Sequence, residues 1–207
     1  MESNAYRKPE QKLKTACRLN WNCHICGRKV KNMQNSNTIE KRSQSTRQMV
    51  YMGVSIALCV VATMVLIPMP GGAMVHMGSA ALYIIGIVFG RWVGAVGGGI
   101  GSMIFDAIVG LTGYTPFSLV IKGVAGYLVG YFGHTPNRRP SYGRVLIATL
   151  IASLWTLAGY VVAWWAVIGS WQAAIANIPF SLMTSALGIV VALAVGPKLY
   201  ELIHKKK

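Results

Sequence analysis

The chain has 207 residues, 54% of them hydrophobic and 12% charged, with a formal net charge of +15. A soluble domain carries about 25% charged residues, so this composition excludes an ordinary water-soluble globule and points to a polytopic membrane protein. Nor does the positive charge indicate nucleic acid. Eleven of the 20 lysines and arginines precede Gln48, and three more are the terminal Lys205, Lys206 and Lys207, which suits anionic headgroups and the positive-inside rule.

Residues 1–47 read as a basic, disordered leader, or as sequence upstream of a true start at Met33 or Met49. Its Cys17-x5-Cys23-His24-x-Cys26 lacks the second well-spaced pair of a common zinc finger, and no metal site is expected there. Three cysteines in a cytosolic tail do not suggest a disulfide framework. A first apolar run that begins only after this leader reads as a retained span rather than a cleaved signal.

A membrane crossing takes about 20 apolar residues, and residues 48–200 offer six candidate stretches. They are Gln48–Ile67, Val75–Gly90, Val93–Gly110, Pro116–Phe132, Gly143–Ile168 and Ala173–Gly196. The connections at Pro68–Gly72, Leu111–Tyr114 and Gly169–Gln172 are uncharged. Those at Arg91 and at Arg138, Arg139 and Arg144 are basic, as is the tail 201–207. This alternation predicts an all-α membrane protein with six transmembrane helices and both termini cytoplasmic, in the plasma membrane of a prokaryote.

Small residues indicate how the helices approach one another. Span three carries Gly94/Gly98 and Gly97/Gly101, and span four Gly126/Gly130; such pairs let backbones pack closely in lipid. They are read as packing within the chain. Span one has small residues on more than one face, including Gly53, Ser55, Ala57 and Cys59, which leaves the Gly53/Ala57 face free for a partner subunit. The Gly97–Gly101 run is not a phosphate loop, since no Lys-Ser/Thr follows it.

Asp106 and Lys122 are the charged residues in the interiors of the spans. At 1.5 Å per residue they lie about 6 and 9 Å from the uncharged-loop end. Ionised groups at such depth cost about 2.5–3.5 kcal/mol each on insertion scales, so they mark a pocket or an internal pair. His76 and Ser79 in span two, Tyr114, Trp164 and Trp165, and Asn177, Ser181 and Thr184 fall in the same half of the membrane. The gathering describes a pocket open to the outside. Trp164 and Trp165 are adjacent, so at most one faces its centre. Five acids in the whole chain, three of them in the leader, leave no paired carboxylates for catalysis. No nucleotide motif or cofactor site appears, so energy from ATP would have to come from another chain.

The segment Val75-His-Met-Gly-Ser-Ala-Ala-Leu82, the Gly94–Gly101 run, Asp106, and Gly113-Tyr114-Thr-Pro116 through Lys122-Gly123 resemble the substrate-binding S components of energy-coupling factor (ECF) transporters. The nearest resemblance is to those for riboflavin, hydroxymethylpyrimidine, pyridoxine and pantothenate. It covers about residues 48–196 and is most specific over 76–130. Ser79 departs from it, since related sequences often carry an acid there. The resemblance implies a six-helix, non-enzymatic subunit that captures a vitamin from outside. It would dock by the small-residue face of span one (Gly53, Ala57) onto a transmembrane coupling subunit driven by two cytosolic ATPases, and topple to deliver its ligand. Lys122 and Asp106 would organise the pocket, with His76, Ser79, Tyr114, Trp164 and Asn177 as further contacts and Pro68–Gly72 as a lid. A self-sufficient secondary carrier and a non-catalytic structural membrane subunit remain the alternatives.

Overall fold

The computed structural model describes residues 23–68, 74–136 and 138–204, with side chains placed from Arg42 to Ile203. Cys17 and the side chains of Cys23 and Cys26 lie outside the described residues, as do residues 69–72 of the expected Pro68–Gly72 lid. The chain divides into two compact units, Met1–Met49 and Val50–Lys207. In the first, the backbone is helical from Cys23, within helix α1 (Cys23–Met64). The second is the membrane bundle.

After α1, β1 (Leu66–Pro68) and β2 (Met74–His76) form an antiparallel hairpin with Leu66 opposite His76 and Ile67 opposite Val75. There follow α2 (Gly78–Phe89), α3 (Arg91–Val109), α4 (Thr115–Gly133), α5 (Tyr142–Ile168), α6 (Trp171–Ala176) and α7 (Ile178–His204). Among the described residues, five stretches are long and apolar enough to cross a membrane: Arg42–Met64, Arg91–Val109, Thr115–Gly133, Tyr142–Ile168 and Trp171–Ile203.

The expected boundaries are corrected in three places. Span one ends as a helix at Met64, not Ile67, and span two begins at Gly78, not Val75, because Leu66–Pro68 and Met74–His76 pair as strands. Span six is interrupted at Asn177. Pro179 lies two residues further on, and proline lacks the N–H that a continuous helix would need. Non-helical backbone is tolerated at membrane depth when protein buries it or it lines a cavity; β2 meets that condition through Met74 and His76, which line the cleft described below, while β1 is largely exposed.

Helix α2, with 12 residues, spans only about 18 Å at 1.5 Å per residue. Its residues Gly78–Tyr83 and Ile85–Val88 are all buried, as expected of a helix that is apolar all round. Leu82, Tyr83 and Ile87 join Ala125 and Val129 of α4, Val145 and Ala152 of α5 and Ala192 of α7 in the main core. Large apolar side chains such as Leu154, Val162 and Val190 are exposed on the outer faces, the surface a hydrocarbon solvent favours.

The glycine run of α3 serves two neighbours at once. A Cβ on Gly94 would come within 2.7 Å of the Gly126 carbonyl oxygen on α4, and one on Gly97 within 2.9 Å of Ser55 Cβ on α1. Gly101 meets Cys59 in the same way, at 2.7 Å. Helices α3 and α4 share an extensive interface. The small-residue pairs of these two helices thus serve packing within the chain. On α1, Ser55 and Cys59 are buried while Gly53 and Ala57 are exposed, with open space around Gly53.

Candidate functional site

A cleft of about 120 Å³ lies at one end of the bundle, where β2, the start of α2, the last turns of α3, the first turns of α4, the second half of α5 and the start of α7 converge. Helical spacing brings the walls together. Ser118 and Lys122 on α4 are four residues apart, as are Thr156, Tyr160 and Trp164 on α5, and Ser181 and Ser185 on α7, so each set lines one face.

Asp106 stands in the last turn of α3. That helix ends at Gly110, whose left-handed backbone (φ 84°) returns its N–H to the Asp106 carbonyl, a common glycine C-cap. The Asp106 side chain lies beside the Ser118 hydroxyl. Its Oδ2 is buried and makes no hydrogen bond among the described residues. An unanswered buried acceptor costs about 1–3 kcal/mol, and more when charged.

Lys122 is deeper still. Its Nζ donates to Ser79 Oγ at 2.9 Å and sits 5.4 Å from the centroid of the Tyr160 ring, a distance at which an aromatic face attracts a cation. Tyr160 is tied in turn to Ser118, hydroxyl to hydroxyl, at 3.3 Å. Lys122 and Asp106 are therefore not locked in an ion pair: the ammonium is held by Ser79 and Tyr160, within electrostatic reach of the carboxyl. Two of its three N–H donors are left over.

Around this pair stand neutral polar and aromatic groups. His76 Nδ1 accepts from the Gly78 backbone N–H at 3.2 Å, which requires a lone pair on that nitrogen and places the ring proton on Nε2. Asn177, buried at the interruption between α6 and α7, donates its amide to the Ala173 carbonyl at 2.9 Å. Tyr114 precedes α4 and packs on Trp164 with ring centroids 5.3 Å apart; burial pushes its phenol above the ordinary range, so the hydroxyl stays protonated at neutral pH. Trp165 faces elsewhere, stacked on Trp171 at 5.2 Å and half-exposed.

The structure brings all seven expected positions, His76, Ser79, Asp106, Tyr114, Lys122, Trp164 and Asn177, to this one cleft. Ser118, Thr156 and Tyr160 also line it and escape a reading that looks for unusual residues, because serine, threonine and tyrosine are unremarked in apolar helices. Their spacing is the available signal: Ser118 precedes Lys122, and Tyr160 precedes Trp164, by one helical turn.

Comparison with known proteins places this cleft in context. Residues 43–201 match the model of the family described as ECF-type riboflavin transporter, S component. An uncharacterized protein of Pyrococcus woesei, named for the gap 3′ region, is 29% identical over 141 residues, 68% of this chain and 92% of its own. The thiamine precursor transporter HmpT of Lactococcus lactis subsp. cremoris (strain MG1363) is 27% identical over 132 residues, covering 63% of this chain and 73% of its own. The crystal structure of FolT bound with folic acid superposes with a TM-score of 0.58 at 19% identity, over 75% of this chain and 97% of that one, a likeness of fold. With the family match running across nearly the whole bundle, this prokaryotic multi-pass membrane protein belongs to the ECF-type riboflavin transporter S components, and is a vitamin-capturing transport protein rather than an enzyme.

Proposed function

We propose that the chain captures a water-soluble vitamin or vitamin precursor from outside the cell, in the cleft around Asp106 and Lys122, and hands it to an ATP-driven coupling module. The observation that carries this reading is the gathering of two buried charged side chains and several aromatic ones at one end of an otherwise apolar bundle. Arg91, Arg138, Arg139 and Arg144 fall at the opposite helix ends. By the positive-inside rule those ends are cytoplasmic and the cleft faces outward. Both termini are then inside.

In this reading Lys122 Nζ and the Asp106 carboxyl bind the polar groups of the ligand, Tyr114 and Trp164 bracket its ring, and His76, Ser79 and Asn177 complete the wall. Partners are a transmembrane coupling subunit, met by the exposed Gly53/Ala57 face of α1, and two cytosolic ATPases.

Trp164 lines the cleft and so reports occupancy. The test is a tryptophan-quenching titration of the detergent-purified chain with riboflavin, hydroxymethylpyrimidine, pyridoxine and pantothenate; similarity to a thiamine precursor transporter keeps a thiamine precursor among the candidates, and likeness to FolT adds folic acid. Saturable binding of one of them, without ATP or an ion gradient, is the expected outcome. Absence of quenching by every compound would leave a structural subunit. Transport by the chain alone in proteoliposomes, driven by a proton gradient, would establish a secondary carrier instead.

A further inference from the structure

At the basic end of the bundle, opposite the cleft, α3 and α4 carry an aromatic surface. Its framework is a close approach of the two helices. A Cβ on Gly130 of α4 would run into the backbone of Gly90 and Arg91, so a glycine there lets the start of α3 lie directly against the end of α4. That approach sets Trp92 edge-on to Tyr127, with ring centroids 5.6 Å apart. Tyr127 is stacked with Tyr131, one helical turn further on, at 6.1 Å and 12°. Tyr131 meets Phe132 edge-on at 5.0 Å. Arg91 completes the row, its guanidinium carbon 5.8 Å from the Trp92 centroid, within cation–π range. The row is open: Trp92 and Tyr131 keep 56% and 55% exposure, and Arg91 and Phe132 are exposed as well.

Depth and charge indicate what covers it. Trp92 is the second residue of α3, and Tyr127 lies six residues before the end of α4 at Gly133. The row therefore runs from the helix ends about 9 Å inward at 1.5 Å per residue, the level where Trp and Tyr settle between headgroups and acyl chains. Arg91 has no ion-pair partner among the described residues. The one acid described at this end, Glu201, is held by Arg139 at 3.4 Å. Arg138, Arg144 and Lys198 add positive charge that no described carboxylate offsets.

From this pattern we infer that Arg91, Trp92, Tyr127 and Tyr131 form a binding site for an anionic phospholipid. Its phosphate is held by the Arg91 guanidinium, and the upper part of an acyl chain lies along the rings. A guanidinium offers paired N–H donors that match phosphate oxygens, and the rings give the chain a flat apolar bed. A headgroup with its own amine is the poorer ligand. That second cation would sit among unpaired arginines with no free carboxylate to receive it. The site does not depend on which solute the cleft takes; the orientation proposed above fixes only its leaflet, the inner one.

The test reconstitutes the full-length chain in phosphatidylcholine vesicles that contain increasing amounts of acyl-brominated phosphatidylglycerol or acyl-brominated phosphatidylcholine. Bromine quenches tryptophan on contact, and the difference between the parent chain and Trp92→Phe isolates the emission of Trp92. Equal quenching of that emission is expected to need about fivefold less of the brominated phosphatidylglycerol, the scale of one arginine at an anionic surface. Arg91→Gln is expected to bring this ratio towards one. Arg138→Gln removes the same charge from an exposed residue that stacks on no ring among the described residues, and is expected to leave the ratio nearly unchanged. Equal quenching by the two lipids in the parent would reduce the row to a general interfacial belt and overturn the inference. Equal losses in the two arginine variants would replace the site with diffuse attraction. Absence of Trp92 quenching by either lipid would mean that protein, a partner or a second copy, covers this face. The ratio in the parent chain decides the matter even where Arg91→Gln does not fold.

Discussion

Lys122 illustrates how a single residue carries conflicting energies. Burying an ammonium in a membrane protein is unfavourable, and here a hydroxyl at 2.9 Å, an aromatic face and a nearby carboxyl only offset the cost. Replacing a buried charge pair as a whole by apolar groups is often neutral or stabilising, whereas removing one partner leaves the other uncompensated. Lys122→Met, which strands the nearby Asp106, is therefore expected to melt below the parent chain, and ligand affinity to fall about tenfold or more, the scale of a charge-assisted hydrogen bond. Calorimetry paired with a thermal melt separates the two; a variant that binds normally would remove Lys122 from the site. The charged and bulky members of the cleft were legible in the sequence because Asp106, Lys122, His76 and Trp164 are out of place in lipid. The link from Ser118 to Tyr160 was not, since neither residue is unusual there and the contact joins helices through space.

At the level of elements, the glycines decide which helices can touch. A Cβ on Gly126 would overlap the backbone carbonyl of Gly94, an atom that cannot swing aside, whereas one on Gly53 would meet nothing within 4 Å. Gly126→Ala is expected to cost about 1–3 kcal/mol or more, as overpacking does. Gly53→Ala should be neutral or slightly stabilising, since alanine favours a helix over glycine. A melt of each in the same detergent checks the pair, and equal losses would contradict this packing. The glycine spacing made these helix faces readable in advance. The hairpin was not readable, because strands of only three residues use the same apolar residues as a span, and the interruption at Asn177 was masked by the continuous hydropathy of Trp171–Ile203.

For the molecule as a whole, α1 is the exposed wall. The stripe Val50, Gly53, Val54, Ala57, Leu58 and Val61 faces away from the bundle, while Ser55 and Cys59 face α3. If that stripe meets the coupling subunit, Gly53→Leu is expected to abolish co-purification with the coupling module and leave ligand affinity within about twofold, because the substitution touches nothing inside the chain. Loss of binding together with loss of assembly would show that the stripe instead supports the fold.

The short central helix has a consequence for how the protein is made. Helix α2 is surrounded on all sides yet reaches only about 18 Å, well short of the roughly 30 Å hydrocarbon layer. During synthesis it cannot settle alone in the bilayer, where its ends would leave backbone groups facing lipid. Its burial needs α7, where a Cβ on Gly188 would meet Tyr83 and Ala80 and where Ala192 joins the core around it, so the centre of the bundle is complete only once the last helix has emerged.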